Sequence, residues 1–304
     1  MVASLAVAAI TIDFGNTLVI VDRPGLRSVV EETADALGRR GIVRDRAPFL
    51  AAWAEERDRQ FREEVPQLRE VDIDQRAVRV LARMRGMLPP PAEERWDDLA
   101  AASRVDPGEI DAVVDAYSAA FIGRVQPVED AAPTLARLHA EGYALAILSN
   151  WPLAVTIDRF AEAHGWLPYL RAIVVSQRVG TIKPHPSIFE AAASQLGFAP
   201  GAGGSVAPSA PILHLGDDWA ADVVGAARVG WRTAYLRNRQ VDTPLPTSEP
   251  GDGMAPEERV EADLLIDEVH ELPDLLVLDH AASAGLRSTE TLDRQAIQAQ
   301  PADR

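Results

Sequence analysis

The sequence predicts an α/β protein, a parallel sheet covered by helices on both faces, with a helical unit inserted after the first strand. Three observations predict it. Short apolar runs of strand length alternate with amphipathic, Ala-rich stretches of helix length along most of the chain. The alternation stops once, between residues 21 and 125, where only helical patterns occur. Clusters of polar residues stand directly after four of the apolar runs, where open α/β sheets bind ligands, outside the carboxyl ends of their strands.

The first strand is expected over Ala6 to Ile12. The opening MVASLAVAAITID has the apolar look of a leader but lacks a basic start and runs directly into Asp13 and a turn, so it reads as a strand. Helical patterns follow over Leu26 to Leu37, Ala47 to Glu63, Gln75 to Met84, Arg95 to Ala102 and Gly108 to Phe121, with start signals at Gly25 and Asp106-Pro107. They predict a separate cap over residues 21–125, joined to the core near Leu18 to Pro24 and Arg124 to Val128. Further strands are expected at Tyr143 to Leu148, Ala172 to Val175, Ile212 to Leu215, Thr233 to Leu236 and Asp263 to Ile266, and helices at Ala131 to Ala140, Ala154 to His164 and Pro186 to Leu196. Residues 1–20 and 126–279 then form a Rossmann-like core. Pro200 to Pro211 and Val241 to Glu257 read as mobile or exposed loops, and residues 280–304 as a disordered tail.

Composition narrows the function. The 304 residues carry a formal charge of −16, and the pI is near 4.8. Such a surface repels phosphate backbones and anionic lipids, so a small molecule is the expected partner, with neither nucleic acid nor membrane. No apolar run approaches the roughly 18 residues of a membrane helix. The absence of cysteine excludes disulfides, thiolate metal sites and thiol nucleophiles, and fits a cytoplasmic location.

The four polar clusters are Asp13-Phe14-Gly15-Asn16-Thr17, Ser149-Asn150, Lys183-Pro184, and Gly216-Asp217-Asp218 with Asp222. A parallel sheet would bring all four to one edge. Each has an ordinary explanation alone: a turn acid at Asp13, a helix cap at Ser149-Asn150, a solvated loop at Asp217-Asp218. Their joint occurrence carries more weight, because Lys183 is the one lysine among 30 basic residues. Several carboxylates on one edge repel and need cations, which Lys183 and a hard divalent metal such as Mg²⁺ would supply. Turn N–H groups and the Ser149 hydroxyl could then hold an anionic group facing a nucleophilic carboxylate. His185 reads as a loop residue, and Arg23 and Arg27 as a solvated helix face.

In this order, Asp13 with Thr17, Leu148-Ser149-Asn150, Lys183-Pro184-His185-Pro186 with Phe189, and Gly216-Asp217-Asp218 with Asp222 resemble the haloacid dehalogenase-like (HAD) hydrolase superfamily, with a helical cap after strand one. The resemblance covers roughly residues 6–279. It implies Asp13 as nucleophile and metal ligand, Lys183 as the group neutralising it, and Asn16, Thr17, Ser149 and Asn150 as substrate-binding residues. It also implies Mg²⁺ on Asp13, Asp217 and the backbone carbonyl of Gly15, with Asp218 and Asp222 in support, directly or through water or a neighbouring ligand. Family phosphatases usually carry a second Asp where Gly15 stands, and general acid–base help is typically worth about 10² to 10⁴ in rate. The expected activity is therefore Mg²⁺-dependent hydrolysis of a small phosphate ester or anhydride, weak, restricted to good leaving groups, or served by a replacement acid from the cap. Dehalogenation of a 2-haloacid is the alternative, though the retained first acid of GDD speaks against it. Ligand binding with little catalysis is the third. Schiff-base chemistry of the phosphonoacetaldehyde hydrolase type is improbable, because the cap holds no lysine.

Overall fold

The computed structural model describes residues 4–198, 211–237, 242–250 and 260–287. Its strands are β1 (Leu5–Val7), β2 (Ala9–Ile12), β3 (Val19–Ile20), β4 (Gln126–Pro127), β5 (Ala144–Ser149), β6 (Ala172–Val175), β7 (Ile212–Gly216), β8 (Arg232–Leu236), β9 (Leu264–Ile266) and β10 (Leu276–Leu278). Six form one sheet in the order β6-β5-β2-β7-β8-β9. Every neighbouring pair in it is parallel. Its central strands are mostly apolar and almost wholly buried, as strands covered on both faces must be.

Between β3 and β4 lie α1 (Arg23–Arg39), α2 (Arg46–Glu64), α3 (Ile73–Met84), α4 (Asp98–Ala102) and α5 (Pro107–Arg124). Asp side chains cap their starts: Asp22, Asp45, Asp72, Asp97 and Asp106 each accept a first-turn N–H. The short antiparallel pair β3–β4 closes the root of this segment. The core helices α6 (Ala131–Ala140), α7 (Ala154–Ala163), α8 (Ser176–Val179), α9 (Pro186–Leu196) and α10 (Gly225–Arg228) connect the strands, the last preceded by a π-helical turn over Trp219–Val224.

Two expectations are corrected. The first strand is two: at Ala8 the chain bends, and the N–H groups of Ala8 and Ala9 share the Pro211 carbonyl at 2.7 and 3.2 Å. That lets β1 leave the sheet and pair with β10. The tail starts as a helix, α11 (His280–Arg287), because Ser283 and Leu286 are buried and the Leu286 carbonyl accepts from Arg171. The rest of the expected tail, residues 288–304, and most of the loop over 200–211 lie outside the described residues. In the loop over 241–257, residues 242–250 are described and held in place: Thr243, Ser248 and Glu249 bond to Asn16, Asp218 and Tyr235.

Candidate active site

All four clusters meet at the carboxyl edge of the sheet. Asp13 follows β2, with its N–H bonded to the Leu215 carbonyl at 2.8 Å, and Ser149 ends β5. The Lys183 ammonium lies among three acceptors: Asp13 Oδ1 at 2.7 Å, Asp222 Oδ1 at 2.6 Å and the Leu148 carbonyl at 2.9 Å. These use all three of its protons. Burial alone would pull this ammonium down, but the two carboxylates hold it above the ordinary lysine range.

Asp222 is pinned from every side. Oδ1 also meets His214 Nε2 at 3.0 Å, and Oδ2 accepts the Asp218 N–H at 2.9 Å. Against its burial, Lys183 keeps it ionised below the usual carboxylate range. Gly216 is required here, because a β-carbon at that position would overlap the Asp222 carboxylate. Asp217 accepts from the Thr17 hydroxyl at 3.4 Å. Burial, reinforced by Asp13, Asp222 and Asp218, pushes Asp217 well above the ordinary carboxylate range. Burial also raises Asp13 and Asp218. Oxygens of Asp13, Asp217 and Asp222 lie within 4.8 Å of one another.

The expected substrate-binding residues are used unequally. Among the described residues the Ser149 hydroxyl, on a buried residue, makes no hydrogen bond. Asn150 instead clamps the backbone of Lys183, accepting its N–H at 2.7 Å and donating to its carbonyl at 3.1 Å. Asn16 takes the left-handed conformation at φ 56°. Its amide accepts from Val21 N–H at 3.2 Å and donates to Thr243 at 3.0 Å. Each amide spends its oxygen and one of its two N–H groups on these contacts. Asp218 caps the π-turn through Ala221 N–H and accepts the Ser248 hydroxyl at 2.5 Å. His185 caps α9, and Arg23 pairs with Asp242 on the surface.

Sequence reasoning missed three participants. His214 sits inside an apolar strand, so its only signal was a polar residue at a buried position. Leu245 hides in a Pro-rich stretch, yet its Cδ1 lies 2.5 Å from where a β-carbon on Gly15 would stand, with the Trp151 ring at 3.5 Å. Glu70, from the cap, accepts the Ser176 hydroxyl at 2.5 Å, and burial pushes its carboxyl up to about 7.

A parallel sheet carrying acids and one lysine at its carboxyl edge, beneath inserted helices, defines a capped α/β hydrolase. Residues 7–230 match the haloacid dehalogenase-like hydrolase family, and the chain belongs to it. It is 28% identical over 170 residues to the ribulose-1,5-bisphosphate 5-phosphatase of Halopiger xanaduensis, covering 56% of this chain and 65% of that one. It is 30% identical over 132 residues to the glyceraldehyde 3-phosphate phosphatase of Methanopyrus kandleri, covering 43% and 52% respectively. The chain thus spans less than two thirds of either relative. The fold is similar to that of a 2-haloacid dehalogenase from Pseudomonas syringae pv. Tomato DC3000, with a TM-score of 0.56 at 19% identity over 88% of this chain and 97% of that one. It is also similar to the magnesium-bound HAD-hydrolase YfnB from Bacillus subtilis, with a TM-score of 0.51 at 14% identity over 89% and 99%. Among the described residues no helix is long and apolar enough to cross a membrane.

Proposed function

We propose that this hydrolase removes phosphate from a small phosphorylated metabolite, with Mg²⁺ and through an aspartyl-phosphate at Asp13. The observation that carries the reading is the excess of acid at the sheet edge: Asp13, Asp217 and Asp222 converge within 4.8 Å, and one ammonium faces them. Burial and the repulsion of neighbouring carboxylates raise Asp217, and hard oxygen donors suit Mg²⁺. Asp13, Asp217 and the carbonyl of Gly15 would hold the ion, while Asp222 is committed to Lys183, His214 and the Asp218 N–H. When bound, the ion would neutralise charge on the phosphoryl oxygens. Two distant relatives named as phosphatases support the substrate class.

The chain's own groups then have defined tasks. An oxygen of Asp13 attacks phosphorus, the bond to the leaving oxygen breaks, the Lys183 ammonium offsets the charge of Asp13 and the transferring group, and the Ser149 hydroxyl holds a transferring oxygen. Water cleaves the acyl-phosphate and returns the Asp13 carboxylate. Gly15 has no proton to give the leaving oxygen, so aryl or acyl phosphates should outrun alkyl esters.

The test is turnover of an aryl phosphate with Mg²⁺ added or chelated. Activity should fall on the order of 10³-fold or more with chelator, and likewise in Asp13→Asn, in line with the loss of a group central to the chemistry. Chelator-insensitive activity that releases chloride from a 2-chloro acid would move the reading to dehalogenation. Phosphate binding without turnover across a broad substrate panel would make this a binding protein.

A further inference from the structure

Resting on that phosphatase reading, the geometry points to a second anion subsite in the cap, where Arg76 and Tyr117 hold a carboxylate or second phosphate at the far end of the substrate. Arg76 lies one turn into α3 and is 4% exposed. Its Nε donates to Gln60 Oε1 at 2.9 Å, while its two Nη atoms make no hydrogen bond among the described residues. The other buried cap arginines have charged or carbonyl partners at their Nη atoms: Arg59 the carbonyls of Pro90, Pro91 and Glu94, and Arg79 Asp98, with Nη1 making no hydrogen bond but lying 3.6 Å from Glu63. Neither Nη is among the fully buried polar atoms that lack a partner, so both open arms reach solvent that an anion can replace.

Its surroundings suit a ligand. The guanidinium lies over the Trp53 ring at 5.4 Å, and that ring stacks on Tyr117 at 6.1 Å. The Tyr117 hydroxyl, on a residue 5% exposed, also makes no hydrogen bond among the described residues. The nearby carboxylates are occupied elsewhere. Asp72 accepts from Asp74, Gln75 and Gln177, and Glu70 from Val71 and Ser176.

The subsite adjoins the catalytic edge. Ile73, at the start of α3, donates its N–H at 3.0 Å to Pro152, two residues beyond Asn150. Tyr117 stands one turn, about 5.4 Å, before Phe121 on α5. Phe121 packs on Phe14 at 6.3 Å and on Trp151 at 5.2 Å, which flank Asp13 and Asn150 in sequence. These buried rings and the Ile73 bond fix Arg76 and Tyr117 relative to the turns that follow Asp13 and Ser149. The substrate class is therefore a small phosphate ester with a second anionic end.

Three matched probes test this: propyl phosphate, 3-(phosphonooxy)propanoate and propane-1,3-diyl bisphosphate. Their kcat/KM values and their calorimetric affinities in the presence of chelator are compared. The wild type should favour at least one doubly anionic probe over propyl phosphate by about 10- to 100-fold, the usual reach of charge-assisted hydrogen bonds. The carboxylate and bisphosphate arms show which anion is preferred. That preference should vanish in Arg76→Met, weaken in Tyr117→Phe and partly survive in Arg76→Lys, with thermal midpoints identifying any variant that fails to fold. A wild type without preference, or one whose preference survives Arg76→Met, overturns the subsite. Wild-type binding that discriminates through Arg76 without turnover of any probe keeps the subsite and removes the phosphatase reading instead.

Discussion

The His214 ring sits between Thr11 and Asp222, with Nδ1 at 2.8 Å from the Thr11 hydroxyl and Nε2 at 3.0 Å from Asp222 Oδ1. Burial lowers its pKa, so the ring is neutral. A carboxylate only accepts, which assigns the proton to Nε2 and leaves Nδ1 to accept from Thr11. His214 therefore positions Asp222, and through it Lys183. His214→Phe should lower kcat about 10-fold and cost about 1–3 kcal/mol of stability by leaving polar groups unpaired. His214→Gln, which keeps a donor, should recover part of kcat; equal losses in both variants would mark His214 as core packing alone. At Gly15 the obstacle to a side chain is a terminal methyl of Leu245, which can turn aside. Gly15→Asp with Leu245→Ala should speed alkyl phosphate hydrolysis by up to about 10², and no gain would show that the missing acid does not limit the site. Lys183 and Asp13 were legible because their residue types stand out at the ends of apolar runs. Leu245 was not, because its role exists only through its approach to the distant Gly15, and His214 was not, because a polar residue inside an apolar run does not show that its ring will bridge Thr11 and Asp222.

At the level of elements, periodicity located the helices well: Ala131 to Ala140 and Pro186 to Leu196 coincide with α6 and α9. It could not tell that Arg76 and Arg79 of α3 face inward, since charged residues on a helix ordinarily mark its wet side. The start of α3 is also where the cap meets the core. Ile182 N–H donates to Leu68, Ile73 N–H to Pro152, and the Ser176 hydroxyl to Glu70. Glu70, raised from 4.5 to about 7 by burial, makes this junction pH-sensitive. The folded chain holds that proton more tightly than the unfolded one, so the associated stability is complete below about pH 4.5 and is lost as pH rises through about 7. Its size is at most about 3 kcal/mol. The thermal midpoint should decline between pH 5 and 7.5 more steeply in the wild type than in Glu70→Gln. Parallel curves would show that Glu70 does not report the junction.

On the scale of the whole molecule, the order of motifs along the chain was enough to foresee which strand ends share an edge, because parallel connections return each strand to the same side. The departure of β1 from the sheet and the docking of α11 were hidden, since both depend on distant partners at Leu276–Leu278 and Arg171. The edge concentrates negative charge inside a molecule whose net charge is already −16. Asp217 is buried there, and burial with the repulsion of its acidic neighbours raises its pKa. Two opposite effects on stability follow. Mg²⁺ should raise the thermal midpoint of the wild type, by the equivalent of about 2.7 kcal/mol at a hundredfold excess over its dissociation constant. Asp217→Asn should melt higher than the wild type in chelator, because a repelling charge is gone, and should lose the response to Mg²⁺. A variant that melts lower in chelator, or that still responds to Mg²⁺ like the wild type, would mean that Asp217 is balanced within the protein and that the metal site lies elsewhere.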